Sequence, residues 1–149
     1  MSVTDIAVSP FDDASHREQV VALWKSVFGY ETAHNDPHLS IDRKIAANDG
    51  LFLVAVSGVT VVGTIMAGYD GHRGWIYSLA VAPSHRHRGI GSQLVAQAER
   101  ELAERGCVKI NLQILEGNEG TVAFYERLGF AVEPRISMGK RLEQNIPQD

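Results

Sequence analysis

The chain has 149 residues, 44% of them hydrophobic and 21% charged, a composition suited to one folded domain spanning 1–149 with a real core. A formal net charge of −4 weighs against a general nucleic-acid binder and mildly favours an amine-bearing partner over a polyanion. No apolar run approaches the roughly 20 residues that cross a bilayer, no basic-then-apolar leader opens the chain, and a cytoplasmic setting is expected by elimination.

Residues 6–8 predict a first strand, and Val20, Val21, Leu23, Trp24, Val27 and Phe28 recur at helical spacing over 12–28, with Asp12 or Asp13 as cap and Gly29 as stop. Residues 30–40 are polar, contain Asp36-Pro37 and read as a loop. A short helix is expected over 39–47, closed by Asn48-Asp49-Gly50. Two β-rich runs, 51–56 and 60–66, flank Ser57-Gly58 and predict an antiparallel hairpin. After turns at Asp70-Gly71 and Arg73-Gly74, residues 75–81 form a largely apolar, central strand that Pro83 ends. Residues 89–105 make the clearest helix, with Ile90, Leu94, Val95, Ala98 and Leu102 on one stripe and Gly106 as its stop. A buried strand over 108–115 follows, and strand–helix–strand at this spacing implies a parallel, right-handed crossover. A helix over 119–128 and closing strands near Ala131 and over 136–142 complete an α/β or α+β chain with a mixed sheet covered by helices.

The stretch Arg86-His87-Arg88-Gly89-Ile90-Gly91-Ser92 joins the central strand to the best helix. A helix N-terminus exposes unpaired N–H groups and the positive end of the dipole, so anions bind there. Two glycines allow close backbone approach, and Arg86 and Arg88 add charge-assisted hydrogen bonds, as a pyrophosphate cradle needs. On its own the pattern is equally a solvated turn before a helix. There is no Gly-x-x-x-x-Gly-Lys and no third glycine, which excludes the Walker and dinucleotide patterns.

The run from Leu79, Ala80 and Val81 through Pro83 to Arg86-His87-Arg88-Gly89-Ile90-Gly91 resembles the acetyl-CoA signature of the GNAT superfamily, the GCN5-related N-acetyltransferases. Asn118 and the run Phe124-Tyr125-Glu126-Arg127-Leu128-Gly129-Phe130 resemble that family's second signature, and the order of elements fits over nearly the whole chain. Gly68 to Gly74 and the Asn35-Asp36-Pro37 loop are similar to small bacterial acetyltransferases of the YpeA type.

The resemblance implies a mostly antiparallel sheet whose parallel central strands, 75–81 and 108–115, splay apart to admit pantetheine. It implies that the backbone of Leu79, Ala80 and Val81 holds that arm and directs an N–H at the thioester oxygen. Arg86, His87, Arg88, Gly89, Ile90, Gly91 and Ser92 would hold the pyrophosphate, and Asn118 would hydrogen-bond the cofactor arm. Tyr125 would protonate the leaving thiolate as general acid, although its helical spacing from Val122 and Leu128 is also that of a core residue. The implied reaction passes an acetyl group from acetyl-CoA directly to an amine of a small molecule or a peptide, in a ternary complex.

The general base stays open among Asp70, His72, Glu116 and water, because Gly74-Trp75-Ile76-Tyr77 stands where many family members carry a Glu. Cys107, the only cysteine, reads as a small buried hydrophobe, and the histidines show no metal spacing, so no metal is expected. The acceptor site is expected from the first helix, the 30–40 loop and the 70–74 turn, with Tyr30, Asp36, Asp42 and Arg43 as contacts. No nucleic-acid or membrane partner is expected, and a homodimer stays open. A catalytically degenerate acyl-CoA sensor or interaction module is the competing reading.

Overall fold

A computed structural model of the chain describes residues 5–29 and 36–142. They belong to two compact units, Met1–Leu112 and Gln113–Asp149. The first unit runs β1 (Ile6–Pro10), α1 (Asp13–Phe28), α2 (Pro37–Ala47), β2 (Phe52–Ser57), β3 (Thr60–Tyr69), β4 (Gly74–Val81), α3 (Ile90–Glu104) and β5 (Ile110–Asn111). Its five-stranded sheet has the order β1-β2-β3-β4-β5. Every pairing is antiparallel except β4 with β5. This is the expected α+β class, a mostly antiparallel mixed sheet with one parallel pair flanked by helices.

Helix α1 starts where Asp12 accepts a hydrogen bond from the Ser15 N–H at 3.0 Å, and the Ser15 side chain together with this N–H holds the Asp12 carboxyl below the usual range. It stops where Gly29, at φ 63°, donates its N–H to the Lys25 carbonyl. Between them Val20, Val21, Leu23 and Trp24 are buried in one cluster with Phe52, Val54, Val61, Met66 and Ala80 of the sheet. Helix α2 begins at Pro37, earlier than the sequence reading placed it. The Asp36 side chain accepts from the His38 N–H at 2.9 Å, and Pro37 takes the first helical position, where a missing N–H costs nothing. Asp-Pro, read as a loop signal, is here a cap followed by a helix start. The rest of the expected 30–40 loop, Tyr30 included, lies outside the described residues through position 35.

Helix α3 buries the predicted stripe of Ile90, Leu94, Val95, Ala98 and Leu102. Neighbouring residues on β3 show that it covers the face opposite α1. Thr64 bonds to Trp24 of α1, whereas a Cβ on Gly63 would come within 3.0 Å of Leu94 Cδ1 and 3.3 Å of Ile90 Cγ2.

The 108–115 strand is corrected. Only Ile110 and Asn111 pair with β4, opposite Gly74 and Trp75, and Val108 and Leu115 are 89% and 85% exposed rather than buried. Burial of a parallel strand needs covered faces and a neighbour on each edge. Among the described residues β5 has the single neighbour β4.

In the second unit α4 (Glu119–Arg127) is the helix expected there. The closing strands near Ala131 and over 136–142 do not form among the described residues, and Val132, Ile136, Met138 and Leu142 are exposed. Their β-like residue types describe fitness for a pleated, half-buried surface, and no ladder partner provides one.

Gly63 yields a direct test. An added Cβ would stand 3.1 Å from the Ala80 carbonyl oxygen, a backbone atom that cannot swing aside. Gly63→Ala is expected to lower unfolding stability in urea by about 1–3 kcal/mol, the usual cost of overpacking.

Candidate active site

Strand β4 has an edge that its neighbours leave open. Its ladder with β3 runs its whole length, from Gly74 opposite Tyr69 to Val81 opposite Gly63. Its ladder with β5 ends at Trp75. From Ile76 onward no strand among the described residues lies on the far edge, which is the splay expected of the central pair. The ladder with β3 also slips. Thr64 faces Ala80 and Met66 faces Tyr77, so Ser78 and Leu79 together oppose Ile65 in a bulge, and Ser78 adopts φ 53°. At the end of the strand the Ala82 N–H bonds to the Val62 carbonyl at 2.8 Å. Val81 therefore presents its backbone to the opposite edge, and its carbonyl accepts from Arg86 Nε at 3.3 Å.

A 3-10 turn, Pro83–His85, carries the chain from this edge into the basic loop. His87 at φ 65° and Gly89 at φ 77° turn it into α3. Gly89 is the N-cap residue and supplies no side chain to bond the first-turn N–H groups. Its carbonyl accepts from Gln93 N at 3.0 Å, so the helix is closed from its first turn. Arg86, His87, Arg88 and Gly89 are exposed, Gly91 and Ser92 are half-buried, and buried Ile90 anchors the turn in the core. The chain thus offers donors at a helix N-terminus with three basic side chains around them, an arrangement suited to a diphosphate.

A cavity of about 600 Å³ lies on the other side of β4, against α2 and β3. Trp75 and Tyr77, at alternate strand positions, line it with 39% and 44% of their surface exposed. Lys44 lines it too, but its amine is occupied. Nζ donates to Asp49 Oδ2 at 2.9 Å and to the Ala67 carbonyl, and it stands 5.5 Å over the Tyr77 ring. Of the expected acceptor contacts among the described residues, only Arg43 lines it. Asp36 caps α2, and Asp42 pairs with Arg17 at 2.6 Å. Sequence reasoning missed Trp75, Tyr77 and Lys44, which it read as apolar strand and helix. The signal present was two aromatic residues at alternate strand positions in a run otherwise made of core residues.

The base candidates are weakly equipped. Asp70 Oδ1 accepts from the Arg73 and His72 N–H groups, each at 2.7 Å, and these bonds hold its carboxyl below the usual range, making it a poorer base. His72 lies in the same exposed turn and Glu116 is exposed in the second unit. Gly74 cannot be replaced by a carboxylate without movement, since its Cβ would fall 2.7 Å from Cys107 Sγ. That thiol donates to the Lys109 carbonyl at 3.3 Å in a half-buried turn, a structural role. Among the described residues no three or more His, Cys, Asp or Glu side chains group as a metal site would require.

The remaining two expected residues sit on α4. Asn118 Oδ1 accepts from the Thr121 N–H at 3.3 Å, so the side chain caps the helix. Tyr125 is buried, edge-on to Phe124 and Phe130 with centroids 5.0 and 5.3 Å away. Burial pushes its phenol up to about 12, so it stays protonated through the neutral range.

A family model described as the acetyltransferase (GNAT) family matches residues 17–130. The chain belongs to the GNAT acetyltransferase family. An acetyltransferase of Yersinia pestis (strain Pestoides F) is 41% identical over 125 residues, which cover 84% of this chain and 88% of the relative. Solved GNAT neighbours share the fold at low identity. An aminoglycoside N-acetyltransferase solved in complex with CoA superposes with a TM-score of 0.74 at 20% identity, covering 92% of this chain and 95% of its own. A glucosamine-6-phosphate N-acetyltransferase from Arabidopsis thaliana gives 0.69 at 16%, covering 93% and 99%. No helix among the described residues of this GNAT protein is long and apolar enough to cross a membrane.

The Tyr125 shift carries a sign that titration can check. Below about pH 10 the phenol is neutral in both folded and unfolded chains. Between about 10 and 12 the unfolded chain loses that proton first, so stability falls as pH rises, by on the order of 2–3 kcal/mol. Chemical denaturation at stepped pH is expected to show this loss in the wild type and its absence in Tyr125→Phe.

Proposed function

We propose that the whole chain is one N-acetyltransferase domain that moves an acetyl group from acetyl-CoA to a primary amine by direct attack in a ternary complex. The observation that carries this reading is the open edge of β4 leading into the amide-lined start of α3. An extended ligand can add to a free strand edge through backbone hydrogen bonds, as pantetheine would along Leu79, Ala80 and Val81. The pyrophosphate is bound by the loop and helix start Arg86, His87, Arg88, Gly89, Ile90, Gly91 and Ser92. Asn118 has its amide N–H₂ to offer the cofactor arm, its oxygen being used as the cap. Family membership and the aminoglycoside enzyme's complex with CoA support the choice of cofactor.

In the reaction the neutral amine attacks the acetyl carbonyl carbon, and the oxygen takes up charge that an N–H on β4 stabilises. As the intermediate collapses the C–S bond breaks, and the thiolate of coenzyme A takes a proton from Tyr125. The attacking nitrogen gives up its surplus proton to water, because Asp70 is committed to its turn and Asp49 to Lys44. The amine-bearing acceptor occupies the cavity walled by Trp75, Tyr77 and Arg43. The second reading, an acyl-CoA sensor, draws on the same shortage of a free carboxylate. Tight acetyl-CoA binding with no coenzyme A released across an amine and peptide panel would favour it.

Two substitutions test the assignment. Gly91→Asp puts a side chain and a negative charge at the diphosphate cradle and is expected to abolish acetyl-CoA binding in calorimetry, while unchanged affinity would refute the cradle. Tyr125→Phe is expected to keep acetyl-CoA affinity and to slow coenzyme A release by about 10²-fold or more, the usual worth of a positioned acid. Full turnover across the pH range would remove Tyr125 from the mechanism.

A further inference from the structure

A buried polar chain in the core has no part in the reaction as described above. Trp24 on α1 and Thr64 on β3 are both at 0% exposure. The Trp24 indole Nε1–H donates to Thr64 Oγ1 at 2.8 Å, and Thr64 Oγ1 donates to the Ser78 carbonyl at 2.9 Å. Chemistry sets the direction of this chain. An indole nitrogen can only donate, so the hydroxyl accepts from it, and the hydroxyl's own proton is left for the carbonyl. Packing alone would be met by a valine at this position. The hydroxyl is there because it satisfies two other polar groups inside the core.

Ser78 is the residue at which β4 slips its register against β3, and it holds a left-handed conformation although it carries a side chain. Its carbonyl shares one planar trans peptide with the Leu79 N–H, and the two groups point in opposite directions. Thr64 draws the carbonyl toward β3 and the core. The Leu79 N–H is thereby turned away from Thr64, in the stretch of β4 beyond Trp75 that β5 does not pair.

We propose that Trp24 and Thr64 are positioning residues for acyl transfer: by gripping the Ser78 carbonyl they aim the Leu79 N–H at the thioester oxygen. This rests on the acetyl-transfer reading and adds to it which backbone donor acts and what holds it in place. The pair touches neither cofactor nor acceptor. It works by removing the freedom of one peptide plane before the substrate arrives, which is the condition for a donor to stabilise developing charge without reorganising.

The test uses the full chain with acetyl-CoA carrying ¹³C at the acetyl carbonyl, and reads the thioester carbonyl band by infrared difference spectroscopy. A hydrogen bond to that oxygen moves the band to lower frequency in the wild type. Thr64→Val is expected to lose most of that shift while calorimetry shows acetyl-CoA still bound, because the pyrophosphate contacts are unaltered. Thr64→Ser, which keeps the hydroxyl, is expected to restore it. A general loss of packing would not be rescued selectively by the smaller residue. Should Thr64→Val fail to fold by circular dichroism, Trp24→Phe carries the test. It leaves the hydroxyl free to rotate and is expected to diminish the shift in the same direction. A band that keeps the full wild-type shift in Thr64→Val, or in Trp24→Phe if that variant is needed, overturns the proposal. A wild-type protein that ignores millimolar acetyl-CoA overturns the acetyl-transfer reading itself, and this inference with it.

Discussion

A strand inside a sheet ordinarily uses both edges on its neighbours, because buried backbone N–H and C=O groups must be paired. Strand β4 spends one edge on β3 along its whole length and the other on β5 for Gly74 and Trp75 alone. The groups that remain on the open edge have to be met by water or by a ligand of extended shape. The other features of the first unit are arranged around that opening. The bulge at Ser78 and Leu79 lies within it, the Arg86 side chain holds the Val81 carbonyl at its end, and the turn through His87 and Gly89 leads directly into the start of α3. One constraint therefore leaves unpaired backbone groups along a strand edge and leads directly to the positive end of a helix.

The helices on the two faces do different work. Helix α3 packs so closely that Gly63 and Gly74 have no room for a side chain, which fixes the height of its N-terminus over β4. Helix α1 fills the other face with Val20, Val21, Leu23 and Trp24, and through Trp24 and Thr64 it also reaches the Ser78 carbonyl of β4. Helix α2 is tied down by Lys44, whose amine is shared between Asp49 and the Ala67 carbonyl, and its neighbour Arg43 lines the cavity beside β4. Two carboxylates that line that cavity, Asp49 and Asp70, are committed to structural bonds.

Much of this was legible locally. Asp12 and Gly29 delimit α1 as capping chemistry requires, the Ile90–Leu102 stripe is buried as its spacing predicts, and Ser57-Gly58 turns β2 into β3. The misreadings share a cause. Asp36-Pro37 satisfies both a loop pattern and a helix start, and only the His38 N–H bond distinguishes them. The run 108–115 and the segments after Ala131 carry strand-forming residues, but a strand is a pairing, and pairing depends on what lies alongside. At the site, the turn into α3 was readable because glycines before a helix carry their backbone chemistry in sequence. The aromatic wall of Trp75 and Tyr77 was not, because strand alternation does not say which face is empty.

The amino-acid order by itself determined the family, the succession of helices and strands through α4, and the turn that starts α3 at Gly89, since each rests on neighbours in the chain. Tertiary structure alone decided where β5 parts from β4, which residues wall the cavity, and that Trp24 reaches Thr64 across 40 positions of sequence and Thr64 reaches Ser78 across 14. The reason is physical. Capping, turns and helix dipoles act within a few residues, whereas an open strand edge, a cavity and a buried hydrogen-bond chain exist only once distant segments are packed together.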